Sequence, residues 1–284
     1  EKNLELPTEK QHMQAHIFGG ALYIIEDIDG LGTCDDRFSY GCFHELLGRA
    51  IAEKGLSILP ELKVGCTRSN SVSPLSCFHG LGHGIQTYFG YETEHLFKAL
   101  DACSSLADNA QEERGCLRGA LMEFNIRSMA TESGARHSGD PYSPCNFVER
   151  VYQDSCAFSL PQWWLQTTER GDIGSKTFSR LGDLCEGMSL HMRQPCFEGL
   201  GIEAAVTADF SSSESQKNCV ASSMDRRSRL FCFAFAANTI FGVGESSEAA
   251  HVCDDLPETE REYCMMYASN MANVMDPIAL PAQI

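Results

Sequence analysis

The chain has 284 residues, 43% hydrophobic and 9% aromatic, which is typical of a folded protein and excludes wholesale disorder. Its 22 lysines and arginines and 39 aspartates and glutamates give a net charge of −17, which repels nucleic acid and anionic lipid. No apolar run reaches the roughly 18 residues that a membrane helix needs, so the sequence predicts neither a nucleic-acid partner nor a membrane span.

Fourteen cysteines are the strongest compositional feature, and none of them lies in a Cys-x-x-Cys pair. That spacing excludes zinc ribbons, thioredoxin-like redox sites and c-type haem attachment. Such a count is typical of structural disulfides in an oxidising compartment, so we expect an extracytoplasmic protein, whether secreted, periplasmic or at the cell surface. The polar N-terminus without an initiator Met fits a mature chain after signal removal, and equally a trimmed one.

The chain opens with a degenerate unit over residues 1–30. Residues 11–23 align with the second helix of the later repeats, with Gln14 in the position of the cysteine. Terminal repeats of an array are atypical because one of their faces has no neighbour. We therefore predict that residues 1–30 are an N-terminal half-repeat that caps the array.

Residues 31–272 carry the cysteines as seven successive pairs. The second cysteines follow one another at intervals of 35, 39, 40, 40, 36 and 32 residues, which is the mark of a repeat array. Short loops favour pairing in sequence order, although other connectivities stay open. The predicted pairs are Cys34/Cys42, Cys66/Cys77, Cys103/Cys116, Cys145/Cys156, Cys185/Cys196, Cys219/Cys232 and Cys253/Cys264.

Apolar spacing predicts a helix on each side of the turn between the two cysteines. Phe78, Leu81, Ile85 and Tyr88 are spaced for one helix face, and alternating β patterns are absent. Each repeat is then a disulfide-stapled helical hairpin. The fold class we predict is all-α, a single α/α repeat domain over residues 1–284, as an open solenoid or, alternatively, a closed toroid. Residues 273–284 should form an extended, proline-containing tail.

The repeat plan resembles that of the Sel1-like, disulfide-stapled cysteine-rich helical repeat proteins. The stretch Cys34–Cys42, with its eight-residue separation and its Gly-Cys step, carries the resemblance, whereas the other six pairs have longer loops. The resemblance covers the architecture and not the consensus sequence. It implies a secreted solenoid that acts as a binding or scaffold protein without catalysis.

Histidines cluster in the first third of the chain. His16, His44 and His79 occupy equivalent positions, two residues after the cysteine position of their repeats. His79 and His83 are four residues apart, as are His12 and His16, which places each pair on one helix face. With His44 from the neighbouring repeat, the sequence predicts a metal site that suits Zn, Cu or Fe, with His12 as an additional ligand.

Two other interpretations of these histidines stay open. They can hydrogen-bond to each other or to backbone carbonyls at a seam between repeats, with Gly80, Gly82 and Gly84 letting the helices approach closely. They can also act as acid–base catalysts, with Glu26 and Glu45 as further bases or ligands. No His-Glu-x-x-His is present, which excludes the zincin proteases.

A third group of candidates is acidic. Glu123, Glu198 and Glu203 follow their cysteines by seven, two and seven residues. Paired carboxylates serve as acid and base in glycoside hydrolysis, and helical toroids host such chemistry. The simpler interpretation is that these glutamates belong to a solvated surface.

The sequence favours a binding or structural scaffold that acts through a protein partner or through self-association. A protein of this kind is more consistent with a non-enzyme than with an enzyme. A scaffold requires no cofactor. Zn, Cu or Fe is expected only under the first alternative function. That alternative is a metal-binding protein or metal-dependent enzyme that uses the histidines. A second alternative is a glycan-processing α/α toroid enzyme.

Overall fold

The computed structural model describes residues 8–38, 40–71, 74–130, 140–168 and 173–269. Within these ranges the chain forms α-helices and short 3₁₀ segments and no β-strand, so the predicted all-α class is confirmed. The helices are α1 (Thr8–Glu26), α2 (Gly41–Lys54), α3 (Leu59–Cys66), α4 (Pro74–Phe89), α5 (Thr93–Leu106), α6 (Ala110–Ala130), α7 (Gln153–Thr168), α8 (Ser175–Glu186), α9 (Leu190–Thr207), α10 (Ser212–Ser222), α11 (Arg226–Gly242), α12 (Ser246–His251) and α13 (Glu258–Ala268).

Seven disulfides join the fourteen cysteines in sequence order. Their Cα–Cα separations lie between 5.4 and 5.8 Å, and every one of these cysteines is buried. The bridges are Cys34–Cys42, Cys66–Cys77, Cys103–Cys116, Cys145–Cys156, Cys185–Cys196, Cys219–Cys232 and Cys253–Cys264. A protein with this many buried disulfides is suited to an oxidising, extracytoplasmic environment.

The second cysteine of every pair lies on a helix, as the sequence predicts, but the first cysteine does so in only four pairs. Cys34, Cys145 and Cys253 lie outside the α-helices, which differs from the prediction that a helix carries the first cysteine of every pair. The physical reason is clearest at Cys145, because Pro141 and Pro144 precede it and proline cannot continue a helix.

The chain divides into two compact units, Glu1–Ala135 and Arg136–Ile284. In the first unit α1, α2, α4 and α6 pack in that order, each against the next, while α3 and α5 lie against them as a second row. In the second unit α7, α9, α11 and α13 form the equivalent series, accompanied by α8, α10 and α12. The single domain, the solenoid and the toroid stay predictions, and the predicted tail lies outside the described residues.

The buried faces of the helices follow the apolar spacing of the sequence. Phe78, Leu81 and Ile85 of α4 are almost completely buried, whereas Tyr88, predicted on the same face, is 49% exposed near the end of the helix. Across the part of the chain that the structure describes, every helix is too short or too polar to cross a lipid bilayer.

Glycines set the spacing of α4 and α6. A Cβ atom on Gly82 would lie 2.0 Å from the carbonyl oxygen of Cys116, and one on Gly119 would lie 2.0 Å from that of His79. Only a residue without a Cβ permits backbones to approach this closely. The same close packing brings the histidines of α4 next to the side chains of α6.

Candidate metal centre

The five histidines of the first third of the chain converge in the first unit. His12 and His16 lie on α1, His44 on α2, and His79 and His83 on α4. Neighbouring ring centroids are 4.3–5.4 Å apart, so the imidazoles form one continuous cluster, which we call the five-histidine cluster. The structure thus brings together every histidine that the sequence predicts as a ligand.

The ring nitrogens of the five-histidine cluster are spaced as metal ligands are. The Nε2 atoms of His12 and His16 are 3.0 Å apart, and those of His79 and His83 are 3.1 Å apart. The Nδ1 atom of His44 lies 3.4 Å from Nε2 of His16. The 3.0 and 3.1 Å separations are hydrogen bonds between the rings, as one interpretation of the sequence expects. They also lie close to the roughly 3.3 Å between two nitrogens bound tetrahedrally to one zinc ion, so the same spacing suits a coordination site.

Within the cluster the histidines form two groups of three that share one member. His12, His16 and His44 offer nitrogens within 4.8 Å of one another, and so do His44, His79 and His83. His44 stands between the two pairs because α2 packs between α1 and α4. It is therefore the central residue of the cluster.

Hydrogen bonds outside the cluster fix which nitrogen of two histidines is free to act as a ligand. Nδ1–H of His12 donates to the carbonyl oxygen of Phe38 over 2.7 Å, and Nδ1–H of His83 donates to the carboxylate of Glu123 over 2.9 Å. In a neutral imidazole the other nitrogen, Nε2, then carries the lone pair. Metal-binding histidines in proteins are generally oriented in this way.

Both carboxylate oxygens of Glu123, on α6, accept hydrogen bonds. Its second carboxylate oxygen accepts a hydrogen bond from the hydroxyl of Tyr91 over 2.7 Å. Burial alone would raise the pKa of Glu123, but the hydrogen bonds from His83, Tyr91 and Thr87 outweigh it and hold the pKa below the ordinary value. Glu123 is therefore an anion that orients His83, a role that the sequence does not predict for it.

The loop before α2 supplies the partner of His12. Phe38 and Tyr40 adopt left-handed backbone conformations, which side chains other than glycine rarely do. This conformation turns the carbonyl of Phe38 onto His12, and the ring of Tyr40 packs 5.7 Å from that of His79. Strained backbone of this kind is concentrated at functional sites, and here the Cys34–Cys42 disulfide closes the loop that contains it.

Three histidines of the cluster favour the neutral form. Burial, reinforced by neighbouring imidazoles, lowers the pKa of His44 and His79 well below the ordinary 6.5, and in the case of His79 Arg118 adds to the effect. Burial and His12 also lower the pKa of His16, against the opposing effect of Glu45. Neutral imidazole is the form that binds a metal ion, so His16, His44 and His79 are prepared for binding at neutral pH.

These lowered pKa values predict that the metal-free protein loses stability on mild acidification. In the unfolded chain His16, His44 and His79 take up protons as the pH falls through about 6.5, whereas in the folded chain they do so only at lower pH. The unfolded state then binds more protons, so the free energy of unfolding decreases. Urea denaturation of chelator-treated protein at pH 7.5 and pH 6.0 should show a lower midpoint at pH 6.0.

Two groups in the second unit act with the opposite sign and must be removed for this measurement. Burial raises the pKa of Glu203 to about 7, and the hydrogen bond to Asp254 raises the pKa of His251, so both contribute stability at low pH that is lost as the pH rises. The comparison should therefore be made in the Glu203→Gln/His251→Ala variant. An unchanged or higher urea midpoint at pH 6.0 in that variant would contradict the prediction.

The remaining predicted site residues lie outside the five-histidine cluster. Glu26 is exposed at the end of α1, and Glu45 lies 3.6 Å from Nδ1 of His16 but is held by Arg49 over 2.7 Å. Glu198 is buried and accepts a hydrogen bond from Gln194 over 2.9 Å. Glu198 and Glu203 are five residues apart on α9, which turns their side chains roughly 140° away from each other. This arrangement does not favour a pair of catalytic carboxylates.

Two groups that contact the cluster or its partners could not be predicted from the sequence. The carbonyl of Phe38 is a backbone group, and Tyr91 lies outside the helices, at a position that no motif singles out. The repeat alignment brings Glu123 near α4, but only the packed structure shows that it meets His83. Comparisons with protein-family models, with curated proteins and with solved structures found no match to this chain.

Proposed function

We propose that this protein binds transition-metal ions, Zn²⁺ or Cu²⁺, through the five-histidine cluster of α1, α2 and α4. The observation that carries the proposal is the convergence of five imidazoles at ligand-like separations, two of which are oriented by the hydrogen bonds that they donate to groups outside the cluster. The role is capture or carriage of the ion in an oxidising compartment.

The donor set favours these ions over others. All fourteen cysteines are in disulfides, so no thiolate is available as a ligand. Both groups of three consist of histidines alone. Imidazole suits Zn²⁺ and Cu²⁺, whereas Mg²⁺ and Ca²⁺ prefer oxygen and non-haem iron sites commonly include a carboxylate. Of the metals expected from the sequence, zinc and copper are therefore the better fit.

A purely structural role for the cluster leaves one atom unexplained. Nε2 of His44 is buried and has no hydrogen-bond partner among the residues that the structure describes. An unsatisfied buried polar group costs about 1–3 kcal/mol, and a hydrogen-bonded seam between repeats would not need to tolerate it. A bound metal ion would accept the lone pair of this nitrogen and remove the cost.

The test is a calorimetric titration of the chelator-treated protein with Zn²⁺ and with Cu²⁺. We expect saturable binding by the wild type and a loss of at least one binding event in the His79→Ala/His83→Ala variant. His251→Ala is the matched control, because His251 is exposed in the second unit and bonded to Asp254. The absence of binding in the wild type, or equal binding in the double variant, would overturn the proposal.

The Glu123→Gln variant should bind the metal 10–100-fold more weakly, because losing the anion that orients a ligating histidine typically has this effect. Glutamine keeps the size of the side chain but removes the charge that favours Nδ1–H of His83. Competition against a chromophoric chelator measures the change in affinity. Glu113→Gln, on the same helix but hydrogen-bonded to Ser104, is the control. Equal affinity in both variants would show that Glu123 does not support the site.

A scaffold role through self-association is a second proposal, favoured by the outer surface of α1. Met13, Ile17 and Ile24 are 64%, 68% and 74% exposed and lie along one side of that helix. Since α1 corresponds to the second helix of a repeat, the same helix type in another copy of this chain is its natural partner. Sedimentation velocity should then show a dimer that Ile17→Glu dissociates, and a wild-type monomer at high concentration would contradict this role.

A further inference from the structure

We infer that the five-histidine cluster holds two metal ions and that His44 bridges them through its two ring nitrogens. One ion would be bound by His12, His16 and Nδ1 of His44, and the other by His79, His83 and Nε2 of His44. This inference rests on the proposed function, since it specifies how many ions the same cluster takes and how they are connected.

The position of His44 supports the first of the two metal ions. Nδ1 of His44 faces the pair on α1, 3.4 Å from Nε2 of His16, so this nitrogen belongs with the first group. The ring centroids of His44 and His16 are 5.2 Å apart, and two imidazoles bound tetrahedrally to one ion have centroids about 5 Å apart. The first three histidines therefore suit a single ion.

The other nitrogen of the same ring supports the second ion. Nε2 of His44 is buried and has no hydrogen-bond partner among the described residues. The rings of His83 and His79 lie 4.3 and 5.3 Å from that of His44, centroid to centroid, and a ring nitrogen of His44 lies within 4.8 Å of ligand nitrogens of both. Nδ1–H of His83 is already engaged by Glu123, so Nε2 of His83 turns into the cluster and meets Nε2 of His79 at 3.1 Å. Because Nδ1 of His44 is engaged with the first group, we assign Nε2 of His44 to the site formed by the second pair.

Two ions explain the shared histidine better than one. A single ion held by all five histidines would leave one nitrogen of the central ring unused within the cluster. A single ion in either group would leave the other pair, which includes one histidine oriented by a group outside the cluster, without a role. When both nitrogens of His44 bind metal, two N–metal bonds form, the ring N–H bond breaks and its proton goes to solvent, so the ring becomes a bridging imidazolate.

The experiment titrates the chelator-treated protein with a copper(II) salt and follows binding by calorimetry and by electron paramagnetic resonance. The wild type should bind two ions, and spin coupling across the bridge should reduce its signal to well below that of two isolated copper(II) ions. His12→Ala/His16→Ala and His79→Ala/His83→Ala should each bind one ion and give a full, uncoupled signal. Far-UV circular dichroism verifies that each variant is folded.

The outcomes separate this inference from the function on which it rests. One ion per wild-type chain, or two ions with an undiminished and uncoupled signal, would overturn the bridge while leaving metal binding intact. No binding by the folded wild type would overturn the proposed function itself. The wild-type spectrum alone decides the bridge if a double variant does not fold.

Discussion

Replacing Gly119 with alanine should destabilise the first unit by about 3 kcal/mol, at the upper end of the usual cost of overpacking. The added Cβ would lie 2.0 Å from the carbonyl oxygen of His79 and 2.8 Å from its carbonyl carbon. Both are backbone atoms of α4, so no side-chain rotation relieves the clash and the two helices must separate. Chemical denaturation followed by circular dichroism measures the loss of stability.

Gly48→Ala is the matched control for this prediction. Gly48 lies within α2, and a Cβ at that position would meet nothing within 4 Å. Since glycine in a helix costs roughly 0.5–1 kcal/mol relative to alanine, this variant should be slightly more stable than the wild type. If Gly119→Ala were as stable as Gly48→Ala, the close packing of α4 and α6 described above would be incorrect.

Removing the Cys66–Cys77 disulfide by a double substitution to alanine should cost roughly 3 kcal/mol on the chain-entropy estimate. The bridge closes an 11-residue separation and anchors the start of α4, two residues before His79. Because α4 carries two of the five histidines, we expect this variant to lose metal affinity as well as stability. Thermal unfolding and a metal titration measure the two effects separately.

The Cys253–Cys264 disulfide offers a control of the same length in the second unit. Its removal should cost a similar amount of stability, because the chain-entropy estimate depends only on loop length. No member of the five-histidine cluster lies in that unit, so metal binding should be retained. A loss of metal binding in this variant equal to that in the Cys66–Cys77 variant would argue against a site confined to α1, α2 and α4.

Much of the fold can be predicted from the positions of the cysteines and from the spacing of apolar residues. The period of the second cysteines indicates repeated helices, and the helix after each of them is observed. The buried residues of α6, such as Leu117, Leu121 and Phe124, follow the spacing of a single helix face. These features are local, because a disulfide across a short turn and a helix face depend on residues close together in sequence.

The candidate site can be predicted only in part, because only some of its features depend on residues close together in sequence. The four-residue spacing of His12 with His16 and of His79 with His83 places each pair on one helix face. The alignment of the repeats predicts that the two pairs occupy equivalent positions on their helices. The orienting groups are not local: Glu123 is forty residues from His83, and the carbonyl of Phe38 has no side-chain identity. Which nitrogen faces the cluster depends on these groups, so it follows from packing alone.

Metal binding by the five-histidine cluster is tested most directly by the metal content of the purified protein, determined by inductively coupled plasma mass spectrometry. The protein should be purified without chelator and, in parallel, desalted after incubation with zinc or copper salts. We expect stoichiometric zinc or copper in the wild type and a clear reduction in His79→Ala/His83→Ala. Wild-type protein that contains neither metal as purified and retains neither after incubation would contradict metal binding by the cluster.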